Sequence, residues 1–105
     1  MNNTEKWNDH TLTVEDIEAW LEPEAKANKV ELTPEQRHRI AENIHKIYET
    51  VEEIRPDYLG HFLTAVKTGD YEKALARADL TNRRALILYL KYFYNQAPRS
   101  YYDHR

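Results

Sequence analysis

Glu35 with His38 and Glu42 with His45 repeat a Glu-x-x-His spacing, the pattern in this chain closest to a site for chemistry. On a helix that spacing puts carboxylate and imidazole on one face, where both can ligate one metal ion. A di-iron bundle needs such pairs on different helices, aimed inward. At ~100° per residue from the aliphatic positions of the same segment, His38, Glu42 and His45 fall roughly opposite the core. A solvated face is the expectation, and no metal is assigned. His10, His61 and His104 have no carboxylate-and-nucleophile setting, so acid–base catalysis has no support. The chain has no cysteine, which excludes disulfides, thiolate metal sites and cysteine nucleophiles. Its single serine, Ser100, lies in a polar stretch and is a poor candidate for a triad. With only two glycines, no glycine-rich phosphate cradle can form. No catalytic residue or cofactor is expected, and the chain reads as non-enzymatic.

Binding is the better-supported class. Residues 1–56 hold seven Lys/Arg and thirteen Asp/Glu, whereas residues 57–105 hold eight and five. Six of the eight tyrosines also fall from Tyr71 onward. Tyrosine and arginine are the residue types that protein interfaces concentrate. The expected partner surface is therefore Arg84, Leu88, Lys91, Tyr92, Tyr94, Arg99, Tyr101 and Tyr102. It would serve a small accessory, regulatory or inhibitory subunit meeting a protein partner or a second copy of itself. Nucleic acid is the alternative, because basic side chains meet phosphates and aromatics stack on bases. Residues 71–95 allow a helix-turn-helix reading, with Arg77, Asn82, Arg83, Arg84 and Lys91 toward the nucleic acid. Leu86 and Ile87 weaken it, since they stand where a base-reading helix needs donors and acceptors.

Gly69-Asp70-Tyr71-Glu72-Lys73-Ala74-Leu75 resembles the inter-helix turn of a tetratricopeptide repeat. The resemblance covers this turn alone. Ala65 replaces an expected aromatic, and no second copy occurs, although such repeats need neighbours. It implies a helical hairpin over residues 57–78.

The elements that must carry these residues are helical. Thr13 fits an N-cap, with Asp16 as the reciprocal capping-box residue and Leu12 and Ile17 at staple spacing. Val14, Ile17, Leu21 and Ala25 share one face, with Trp20 at its edge, and Pro23 is expected to end one short helix at Trp20 or Leu21 and start another turn through Ala27. Thr33-Pro34-Glu35-Gln36 is a second capping box with proline at the first helical position. Ile40, Ile44, Ile47, Val51 and Ile54 then form a heptad seam, widened by Ala41 and Tyr48, on a helix expected to stop at Arg55 before Pro56. Asp57 is the expected cap of a third helix bearing Leu59, Phe62, Leu63 and Val66, closed by Gly69. Asp70 caps a fourth helix with Tyr71, Ala74, Leu75 and Ala78. Thr81 is the expected cap of a fifth, which holds Ala85 to Leu90 and Tyr92 to Tyr94, is apolar nearly all round and is closed by Pro98.

With Leu86 at the centre of that helix's inward face, Leu88 falls near the back, between Arg84 and Lys91. An exposed Leu88 would mark a protein interface, most simply a homodimer. The competing arrangement folds the N-terminal segment over it, through Trp7 or Trp20.

The expected architecture is all-α, a single-domain bundle of four to five helices. Residues 1–12 form a polar N-terminal arm, 13–98 the bundle and 99–105 a Tyr/Arg-bearing tail. A chain of 105 residues and 12.6 kDa supports one core. The formal net charge of −3 argues against a basic nucleic-acid coat and against an acidic tail. The first residues lack an apolar run, and none elsewhere approaches the ~20 residues that span a bilayer, so a soluble cytoplasmic protein with no membrane partner is expected.

Overall fold

Local hydrogen bonds start most of the helices at the positions their caps specify. A computed structural model describes residues 2–55, 58–98 and 101. Among them are six helices and no strand: α1 Thr4–Asn8, α2 Val14–Ala27, α3 Pro34–Val51, α4 Gly60–Thr68, α5 Tyr71–Arg77 and α6 Leu80–Asn95. The all-α class holds, with one or two more helices than expected. Both capping boxes form: Thr13 Oγ1 accepts from the Asp16 amide, Thr33 Oγ1 accepts from the Gln36 amide, and each partner side chain accepts from the cap amide in return. Asp70 accepts from the Lys73 amide to open α5.

Three local expectations are corrected. Pro23 does not end α2, which runs through it. Proline removes the amide that would bond the Ala19 carbonyl, and both residues lie on the exposed face, where water can take its place. Asp79, not Thr81, caps α6, because its Oδ1 accepts from the Asn82 amide at 2.8 Å. Its Oδ2 also accepts from Arg39 Nη2 at 2.6 Å, which ties α3 to the start of α6. Helix α3 ends at Val51, four residues early. Glu53 turns left-handed (φ +58°), and the Ile54 amide donates back to the Glu49 carbonyl, leaving Ile54 outside the seam and exposed. The expected cap Asp57 lies outside the described residues.

The same paired closure, two amides donating back across a left-handed residue, ends α1 at His10, α2 at Lys29, α3 at Glu53 and α4 at Gly69. Only the last uses glycine.

Helices α2 and α3 pack as one hairpin and α4 and α5 as a second, with α6 against α2 and α3. Ile40, Ala41, Ile44, Ile47, Tyr48 and Val51 of α3 are buried, as the heptad predicts. They meet Ile17, Trp20 and Leu21 of α2, Leu63 and Val66 of α4, and the inner face of α6 in one cluster. The Cα radius of gyration, 12.6 Å, is near the ~13 Å of a single domain this size.

Residues 2–12 are not a free arm. Trp7 is fully buried, edge-on to Tyr48, Phe93 and Tyr101, with centroids 5.2, 6.2 and 5.9 Å away. Its Nε1–H donates to Glu52 Oε1 at 2.7 Å. The Asn3 amide donates to Gln96 Oε1 at 2.6 Å, and Tyr92 Oη donates to Asn3 Oδ1 at 2.9 Å. These contacts fasten the beginning of the chain to the end of α6. No helix among the described residues is long and apolar enough to cross a membrane.

Candidate docking surface

The orientation of α6 decides which late residues can meet a partner. Asn82, Ala85, Leu88, Tyr89, Tyr92 and Phe93 are buried. The inward face is therefore centred between Ala85 and Leu88–Tyr89, rotated by roughly a quarter turn from one centred on Leu86. Leu88 is 0% exposed, which corrects its expected place at the back of the helix. Tyr92 is buried too, edge-on to Trp20 at 5.1 Å. Tyr101 stacks on Phe93 at 5.0 Å and donates its hydroxyl to the Lys67 carbonyl at 2.8 Å. Leu88, Tyr92 and Tyr101 thus belong to the core and cannot touch a partner without unfolding. Arg99 and Tyr102 lie outside the described residues. Arg84 and Tyr94 are exposed and Lys91 is half-exposed.

The rotation brings a different set outward. Leu80 (65% exposed), Ile87 (41%), Leu90 (37%) and Tyr94 (77%) line the outer face, with Arg83 between the first two. Their spacing of three, four, three and four residues is a second heptad seam, facing solvent. Arg83 interrupts the seam, Arg84 and Lys91 stand along one edge of it, and α6 carries no carboxylate anywhere along its length. Across a groove of about 470 Å³ from Arg84 and Ile87 lies the α2–α3 turn, with Asn28, Lys29, Val30 and Glu31. A second groove of about 580 Å³ shares that turn and is lined by both signs of charge, with Lys26, Lys29 and Arg37 beside Glu22 and Glu31.

The alternative nucleic-acid set fares unevenly. Arg77, Arg83 and Arg84 are exposed. Asn82 is not available to read a base, because it is buried and its Oδ1 accepts from Tyr89 Oη at 2.7 Å. Asn43 Nδ2 in turn donates to Tyr89 Oη at 2.9 Å. Burial in that chain pushes the Tyr89 phenol above its usual range, so it stays a neutral donor. Leu86 is half-buried and Ile87 exposed, leaving an apolar patch where base contacts would be needed.

The histidines of α3 serve structure. His38 Nδ1 lies 3.0 Å from Glu18 of α2 and its Nε2 3.7 Å from Glu42, linking the hairpin on its exposed side. His45 is not on a fully solvated face: its Nε2–H donates to the Leu12 carbonyl at 2.9 Å, its Nδ1 lies 3.4 Å from Glu49, and only a fifth of the side chain is exposed. Among the described residues no group of three or more His, Asp or Glu side chains is placed to hold a metal ion.

The outer seam was hidden in the sequence by the abundance of apolar residues on α6. The Leu80–Ile87–Tyr94 repeat of seven was the signal that could have found it. No protein-family model, curated protein or solved structure matches the chain.

Proposed function

We propose that this protein is a non-enzymatic interaction module, an accessory, regulatory or inhibitory subunit that docks another protein on the outer face of α6. The observation that carries this reading is the solvent-facing heptad Leu80, Ile87, Leu90 and Tyr94. Helices α2 and α3 bury their apolar stripes, whereas α6 buries one stripe and exposes another. An apolar strip interrupted by Arg83 and bordered by Arg84 and Lys91 has the composition of a contact patch. Ile87→Asp combined with Leu90→Asp tests the reading, since both side chains are partly exposed and neither belongs to the core cluster. Quantitative co-purification from the native host should lose a specific protein from the double variant while the variant's thermal unfolding stays near wild type. Identical co-purification profiles would exclude α6 as the docking face.

Nucleic-acid binding is the second reading. Its support is that exposed Arg77, Arg83 and Arg84 form no ion pair among the described residues. Arg83→Ala with Arg84→Ala would then weaken binding and flatten its salt dependence by up to about two charges. The absence of a mobility shift with wild-type protein at low salt would exclude this reading.

A further inference from the structure

From the charge and spacing of the α6 surface we infer that its partner presents an amphipathic helix with acidic residues flanking its apolar stripe. This rests on the reading of α6 as a docking face and adds the chemistry of the occupant. Leu80 to Tyr94 spans roughly 21 Å along the axis, the reach of about four turns of a second helix. Apolar residues spaced by three and four on such a helix would interdigitate with Ile87 and Leu90. The basic rim then selects the flanks. Arg83 lies within the seam, Arg84 and Lys91 border one side of it, α6 offers no carboxylate, and Lys29 lines the groove opposite Arg84. Glu31 on the turn offsets Lys29, so the groove's net positive charge comes from Arg84 on the α6 side. This basic strip stands on a chain of net charge −3, so it is a local feature and not a general coat.

A second copy of this chain fits less well. Antiparallel pairing about Ile87 sets Arg83 against Lys91, and parallel pairing sets each cation against itself. The acidic helix α2 of another copy offers no match either, since none of the exposed large apolar residues lies on it.

The probe is a displayed library of helical peptides with leucines spaced by three and four and flanking positions varied among Glu, Lys and Ser, selected on the full chain. Glu flanks should be enriched over Lys flanks. Ile87→Asp should weaken the selected peptides by roughly tenfold or more, and Arg83→Glu with Arg84→Glu should reverse the preference toward Lys flanks. Circular dichroism of each variant confirms the native helix content. Peptides that need Ile87 but show no preference among flanks would overturn the acidic partner and keep the docking face. So would wild-type protein that sediments as a dimer abolished by Ile87→Asp. A library with no Ile87-dependent binder, on protein that sediments as a monomer, would overturn both.

Discussion

Single side chains here often hold two elements at once, so their loss is felt beyond one contact. Asp16 accepts from the Thr13 amide within its capping box and from Lys6 Nζ at 2.6 Å, joining α1 to α2. Partial burial raises its carboxyl, but the bonds from Lys6 and Thr13 outweigh that and hold it below its usual value of 3.8. Its contribution is therefore complete above about pH 4 and is lost as pH falls through the lowered value. Asp16→Asn should lower stability at pH 7 and make the acid side of the stability–pH curve shallower. An unchanged acid side in urea titrations at stepped pH would show that Asp16 is not the titrating link. Trp7 is the larger case, since its indole fills the space between Tyr48, Phe93 and Tyr101. Trp7→Ala should cost about 3–5 kcal/mol, read from chemical denaturation.

Each helix shows which kinds of local signal a sequence carries openly. Three of the four caps that use side-chain oxygens were legible, since Thr13, Thr33 and Asp70 each form the predicted bond, whereas at α6 Asp79 and Thr81 both fit and Asp79 makes it. Gly69 was legible as a helix end for the same reason, being a residue type matched to one backbone geometry. Lys29 and Glu53 close α2 and α3 in that geometry without any such residue, so no signal marked them and α3 was read four residues too long. Those ends store strain that glycine would relieve. Glu53→Gly should stabilise the protein by about 1 kcal/mol, visible as a higher Tm; a lower Tm would mean that the unfolded-chain entropy of glycine outweighs the relief. Within α3 the heptad was legible because period alone identifies it. Ile47, fully buried, should cost roughly 2–5 kcal/mol on replacement by alanine, and a loss below ~0.5 kcal/mol in denaturation would contradict its place in the core.

For the whole molecule, the beginning of the chain covers what the end of the chain would otherwise expose. Trp20 and Asn3 meet Tyr92 and Trp7 meets Phe93, and Leu88, expected to mark a dimer interface, is fully buried. Leu88→Asp therefore buries a charge in the core and should unfold or severely destabilise the protein instead of dissociating an oligomer. Ile87→Asp, one residue earlier and on the outer face, should leave Tm nearly unchanged. Comparing the two by thermal unfolding checks the rotation of α6 directly, and the reverse order of effects would place Leu88 outward.

The chain's local chemistry determined the all-α class, the capping boxes, the α3 core stripe and the hairpin around Gly69, because each rests on bonds or periods within a few residues. Tertiary packing decided the rest. Helix α6 has apolar residues at nearly every angle, so its own pattern cannot say which side faces inward; the shapes of Trp20 on α2, Phe62 on α4 and Trp7 on α1 choose Tyr92, Tyr89 and Phe93. That choice places Leu80, Ile87, Leu90 and Tyr94 in solvent and takes Leu88, Tyr92 and Tyr101 out of reach of a partner. The physical reason is that a helix with two apolar faces becomes oriented only when neighbours from distant parts of the chain fill one of them.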